Sequence, residues 1–174
     1  MGKTLEGLVA ARGDDEASMT DQDFMRLAIH TAEEGVKKGQ TPFGAVIALE
    51  GKLIVAAHNV VWLTTDITAH AEINAIRQAC RMLDSIDLTG CVIYSTCEPC
   101  PMCFSAIHWA RIDRIVYGAD IADAAECGFN EMAISNEELK QLGPSPVLLS
   151  GGFMQQECVQ LLQAFRARGD SKLY

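Results

Sequence analysis

No run in this 174-residue chain approaches the roughly 18 consecutive apolar residues that a membrane span requires. The opening stretch, MGKTLEGLVAARGDDEASM, has no continuous apolar segment of the kind a secretory signal carries. It also misses the myristoylation pattern, because Glu6 stands where Ser or Thr is needed. A cytoplasmic location is the resulting expectation. Basic side chains are scarce: 14 Lys and Arg stand against 23 Asp and Glu, for a formal net charge of -9 and a pI near 4.8. Such a surface repels phosphate backbones, so a nucleic-acid partner is disfavoured and a small, weakly charged substrate is favoured. The cysteines do not form an even set. There are seven, at Cys80, Cys91, Cys97, Cys100, Cys103, Cys127 and Cys158. An odd count in a chain expected to be cytoplasmic argues against a disulfide framework.

What is present fits one soluble globular domain: 49% hydrophobic and 21% charged residues, at a length that buries a real core. Residues 1–19 are weakly periodic and read as a loose extension, leaving 20–174 as the domain. Thr20 and Asp23 resemble a capping box, which predicts a helix from there to about Lys38 with Gly39 as its stop. PFGAVIALEGKLIVAAH reads as a β-hairpin turning at Glu50-Gly51, and VVWLTTDIT as a loop. A helix is predicted from near Thr68, with Ala69, Ile73, Ile76, Cys80 and Leu83 on its buried stripe. Strands are predicted at 91–96, 113–119 and SPVLLS. Helices are predicted from Pro99/Pro101 to about Arg111, as one turn ending at Gly128, over NEELKQL capped by Asn136, and over MQQECVQLLQAFRAR. A hairpin followed by alternating helices and strands implies a mixed sheet with helices on both faces.

Two segments carry chemistry: TAHAEINAI (68–76) and CEPCPMC (97–103). Cys100 and Cys103 form a C-x-x-C at a predicted helix start, where free backbone N–H groups favour thiolates. His70 falls in the first turn of the other helix. His70, Cys100 and Cys103 together make a three-ligand zinc set with an open fourth place, the pattern of a catalytic site. Glu72, two residues after His70, shares that site only if it lies off the helix end, since i and i+2 do not face each other along a helix. There a carboxylate can move protons for an activated water. The competing readings are a redox C-x-x-C, and a structural zinc closed by Cys97 or Cys127. Cys80, Cys91 and Cys158 sit among apolar residues and read as core. His30, His58 and His108 have no partner motif.

H-A-E followed by P-C-x-x-C is the signature of zinc deaminases. With PFGAVI, TAHAEINAIRQAC, STCEPCPMCFSAIHWAR, DAAECGF and a terminal tyrosine, the chain from about Asp21 to Tyr174 resembles the cytidine deaminase-like superfamily of zinc-dependent nucleobase deaminases, in its guanine deaminase branch. The resemblance implies a three-layer α/β/α fold with a mixed five-stranded sheet. It implies one zinc per chain on His70, Cys100 and Cys103, with Glu72 as proton shuttle for a zinc-activated water. Asn59 corresponds to the asparagine that binds the base edge, and Phe43 and Trp109 to aromatic walls. The main chain of Ala71, Cys97 and Glu98 corresponds to further base contacts, Glu131 to an acid that recognises the purine, and Tyr174 to the residue that closes the site. It also implies a homodimer, in a branch whose C-terminal segments can exchange between subunits.

The expected reaction is hydrolytic deamination, of guanine to xanthine. A tRNA adenosine, another base or nucleoside (guanosine, cytosine, a triazine), or a non-catalytic zinc scaffold are the alternatives. The chain departs from the family pattern at Ile67, where proline is common, and at Asn130 and Glu131, where aspartate is common.

Overall fold

A computed structural model describes residues 18–174, so most of the 1–19 extension lies outside the described residues. Helix α1 (Asp21–Lys37) begins where Thr20 and Asp23 cap each other reciprocally, as the sequence predicts. It stops before Gly39, whose φ of +76° suits a residue without Cβ. Strands β1 (Gly44–Leu49) and β2 (Lys52–His58) form the hairpin, and Glu50 and Gly51 both take positive φ. Gly44 is needed as glycine for another reason: a Cβ there would run into the Ala28 carbonyl of α1.

The segment expected as a loop contains one short helix, α2 (Val61–Thr64). Side chains fasten it, with the Leu63 N–H donating to Gln40 Oε1 and the Thr64 hydroxyl to the Val60 carbonyl. Helix α3 (Ala71–Leu83) starts later than Thr68, because Asp66 holds Thr68 in a side-chain turn and His70 is extended. Its fully covered face is Ala71, Ala75, Ala79 and Leu83; Ile76 and Cys80 are only partly buried. Alanines at i, i+4 and i+8 let the helix lie close on the sheet, which moves the larger residues to its flanks.

Then follow β3 (Cys91–Cys97), α4 (Pro101–Trp109), β4 (Arg114–Ala119), α5 (Ile121–Glu126), α6 (Asn136–Leu142), β5 (Leu148–Ser150) and α7 (Gln155–Arg166). The cap of α6 is Ser135, not Asn136: the Ser135 hydroxyl accepts from the Glu138 N–H and leaves Asn136 as the first helical residue.

The sheet has five strands in the order β2-β1-β3-β4-β5. The β1 pairings are antiparallel, and β3-β4 and β4-β5 are parallel. Helices α1 and α7 share one apolar layer through Phe24, Met25, Leu162 and Phe165. Helices α3 and α4 share the opposite one through Ala75, Ala79, Phe104 and Ile107. This is the three-layer α/β/α arrangement expected. Among the described residues no helix is long and apolar enough to cross a membrane. Parallel β3 and β4 end together at Cys97 and Ala119. Ligands of open α/β sheets bind beyond such strand ends, and α3 and α4 aim their first turns at that place.

Candidate active site

His70 and Cys100 occupy equivalent places, each being the extended residue that precedes its helix, α3 and α4. Pro101 at the first position of α4 fixes that start. Asn74 anchors the approach to His70 by donating from its amide to the Ala69 and His58 carbonyls. His70 Nδ1 then lies 3.6 Å from Cys100 Sγ and 3.6 Å from Cys103 Sγ. A tetrahedral ion with Zn–N near 2.0–2.1 Å and Zn–S near 2.3 Å would set those atoms about 3.6 Å apart. The donor set therefore fits zinc in chemistry and in spacing, and these three residues are positioned to hold a metal ion.

Glu72 is 6% exposed. Its Oε1 accepts from Ser95 Oγ at 3.0 Å and its Oε2 from Cys103 Sγ at 3.5 Å. The i, i+2 pair meets because the site lies off the end of α3. Burial pushes the Glu72 carboxyl up, with the Cys100 charge adding to it and His70 opposing. The hydrogen bond from Cys103, helped by His70, holds Cys100 down at about 4 against burial, and the same bond pushes Cys103 well up. Burial works against a charge on His70, but Cys100, Glu72 and Glu131 outweigh it and raise its pKa.

A cavity of about 20 Å³ lies beside these groups, lined by Phe43, His70, Glu72, Cys97, Glu98, Cys100 and Glu131. It has room for about one water, well short of the few hundred Å³ of an open ligand pocket. Burial, together with the Cys100 charge, raises the Glu131 carboxyl.

The space above is taken by the C-terminus. Tyr174 Oη accepts from Asn59 Nδ2 at 2.6 Å and lies 3.3 Å from Thr41 Oγ1. Its ring stands 5.8 Å from the His70 ring and 6.1 Å from Phe129. Asn59 is 0% exposed, and its side-chain oxygen already accepts from the Val61 N–H, so its amide N–H is the group turned to the Tyr174 hydroxyl. In this single chain the C-terminal residues pack on their own pocket.

Sequence and structure disagree on two residues. Trp109 is 81% exposed, in a separate groove with Ile86, Arg111 and Leu148. Six residues beyond Cys103 is about 9 Å along a helix and about 120° round it, so Trp109 is not a wall of this pocket within one chain. The Glu98 main-chain N–H donates to the Ala119 carbonyl and is not free for a base. Cys97 borders the cavity, but its thiol donates to the Asp120 carbonyl at 3.6 Å. Ala71 is the first residue of α3, where helical amides have no partner within the helix.

Three residues escaped the sequence reading. Ser95 was legible in principle, since it shares its strand face with Ile93 and so points toward α3. Phe129, 4.8 Å from Phe43 ring to ring, and Thr41 are brought in by chain reversals that no local pattern announces.

The profile of the cytidine and deoxycytidylate deaminase zinc-binding region matches residues 18–119, more than half of the chain. The chain belongs to this family. It is accordingly a zinc-dependent hydrolytic enzyme of deaminase type. The guanine deaminase of Bacillus subtilis is 46% identical to it over 120 residues, 68% of this chain and 77% of that protein. The tRNA-specific adenosine deaminase of the same organism is 34% identical over 145 residues, 83% of this chain and 88% of that one. A solved guanine deaminase from Nitrosomonas europaea superposes with a TM-score of 0.80 at 25% identity, covering 92% of each chain. Both substrate types thus occur among the relatives.

Proposed function

We propose that this enzyme deaminates a free nucleobase, guanine, giving xanthine and ammonia. The observation that carries the choice is the Glu131 carboxyl, which borders the same cavity as His70, Glu72 and Cys100. A carboxylate there accepts from ring N–H groups. Free guanine has them on both rings. Adenosine within a nucleic acid has none, because its ring nitrogens are acceptors or carry the sugar. A net charge of -9 further opposes a polynucleotide, although tRNA adenosine deaminases are among the relatives.

Held by His70, Cys100 and Cys103, zinc would lower the pKa of a water toward about 7. Glu72 takes the proton that water gives up as its oxygen bonds to the amine-bearing carbon. It delivers that proton to the neighbouring ring nitrogen, then takes the second proton from the hydroxyl now bonded to carbon and passes it to the amine, so that the C–N bond breaks, the carbonyl forms and ammonia leaves. Ser95 holds one Glu72 oxygen and leaves the other directed at the metal ligands. Asn59 donates to the base edge, Glu131 accepts from it, and Phe43 and Phe129 flank the ring. Main chain at Ala71 and Cys97 remains near enough to contribute. Tyr174 swings aside to admit the base and then covers it, a lid movement of the kind that excludes water.

The assembly we propose is a cytoplasmic homodimer. It is the arrangement in which a second copy can bring its exposed Trp109 to a pocket, and in which C-terminal segments can exchange. A non-catalytic zinc scaffold has no use for a buried carboxylate aimed at the ligands, so Glu72 speaks against that reading.

Incubation of zinc-loaded protein with guanine, with separation of the products, tests the reading. Stoichiometric xanthine and ammonia are expected. Turnover of guanosine or adenine in place of guanine would overturn the substrate choice.

A further inference from the structure

Residues 121–136 leave the sheet after β4, form α5, pass the Phe43 ring at Phe129 and the cavity at Glu131, and return at the start of α6. Both ends of this excursion are fastened by one side chain. Glu98 is 7% exposed. Its Oε2 accepts from the Ile121 N–H at 3.3 Å and its Oε1 from the Asn136 N–H at 2.7 Å. Asn136 returns the contact, donating from Nδ2 to the Pro99 carbonyl, next to the zinc ligand Cys100. Asn136 is 0% exposed, and its Oδ1 is buried without a hydrogen-bond partner among the described residues. An unsatisfied buried acceptor is costly, and an apolar residue would avoid it. Ser135 already caps α6, so capping does not explain Asn136.

The middle of the excursion is weakly held. Ile121, Ala124 and Phe129 are packed in the core, whereas Met132 is 61% exposed. Between Phe129 and Ser135 the backbone bonds are local, from Glu131 N to the Phe129 carbonyl and from Ile134 N to the Met132 carbonyl, apart from Asn130 N–H reaching the Tyr174 carbonyl. Glu131 therefore hangs between the Phe129 anchor and the Asn136 anchor.

We propose that Glu98 is a positioning residue: its carboxylate, with Asn136, clamps both ends of the 121–136 excursion and so sets where Glu131 stands in the pocket. The proposal rests on the reading of Glu131 as a base contact. The clamp also ties the loop that carries Cys100 to the loop that reads the base, so metal and recognition group keep one spacing.

The test uses the zinc-loaded full chain and the variants Glu98→Gln and Asn136→Ser, with Glu98→Asp as the conservative comparison. An amide oxygen in place of the carboxylate keeps one acceptor and turns an NH2 toward the other backbone N–H. In Glu98→Gln, zinc content stays at the wild-type value and hydrogen exchange across 130–136 accelerates by at least about tenfold. KM for guanine rises about tenfold while kcat changes less than about threefold. Glu131→Gln, which raises KM alone, adds little on top of Glu98→Gln, and Glu98→Asp restores part of the loss. Unchanged exchange, or an undiminished Glu131→Gln effect, would overturn the clamp. So would loss of zinc together with loop order, because the carboxylate would then be serving the metal loop. If Glu98→Gln does not fold, Asn136→Ser carries the same readouts. If the wild type ignores guanine, the substrate reading fails while the exchange arm still decides the clamp.

Discussion

Replacing Glu72 by Gln removes the proton shuttle and little else. The side chain is buried, so truncation to Ala would open a void and leave Ser95 Oγ without its 3.0 Å acceptor. Gln keeps the volume and can keep the Ser95 bond through its carbonyl oxygen. What it loses is the ability to take a proton. General acid-base catalysis contributes typically about 10²–10⁴-fold, and Glu72 is asked to act on water, ring nitrogen and leaving amine, which places its loss toward the upper end of that range. A 10⁴-fold fall corresponds to about 5.4 kcal/mol of transition-state stabilisation. His70, Cys100 and Cys103 are untouched, so zinc content should remain one per chain. The assay is steady-state ammonia release by Glu72→Gln, with bound zinc measured on the same sample. Zinc-replete protein that keeps more than a few per cent of wild-type kcat would remove Glu72 from the mechanism.

Chelation should abolish turnover, and cobalt substitution should restore a coloured, thiolate-bound centre; a colourless, fully active apoprotein would refute the three-residue metal site. Deleting Tyr174 should lower kcat while shifting the melting temperature by less than about 4 °C, since its side-chain bonds go to Asn59 and Thr41 beside the pocket rather than into the apolar layers; an unchanged kcat would refute the lid. Burial raises the Asp21 carboxyl, but the Tyr94 hydroxyl and the Arg114 guanidinium outweigh it and hold it below its ordinary 3.8. A depressed carboxyl contributes stability above the unfolded value that is lost as pH falls through the folded one. Asp21→Asn should therefore destabilise the protein at pH 7 and cost progressively less as the pH is lowered below about 4; an equal loss at both pH values in denaturant titrations would contradict the pairing.

The metal ligands were legible because each sits in a short motif, His70 in H-A-E and the two cysteines in C-x-x-C. Cys100 and Cys103 lie within one turn and Pro101 announces the start of α4, whereas α3 begins at Ala71 rather than near Thr68, so His70 precedes the helix instead of lying in its first turn. The hairpin and the α1 cap were legible for the same reason, since their geometry is written in neighbouring residues. The buried face of α3 was misread because a hydrophobicity pattern ranks Ile73 above Ala75, whereas close packing on a sheet ranks them the other way. Trp109 does not reach the pocket of its own chain, because a match in sequence gives no direction in space and helix geometry turns it away. Thr41, Phe129 and the Glu98–Asn136 clamp depend on contacts between residues tens of positions apart, which no local signal encodes.

Side-by-side ammonia release from guanine and from a tRNA anticodon stem-loop, by zinc-loaded wild-type protein at matched low salt, tests the central claim most directly. Release from guanine with none from the stem-loop is the predicted result. Release from the stem-loop with silence on guanine would contradict it, keeping the zinc chemistry and removing Glu131 from base recognition.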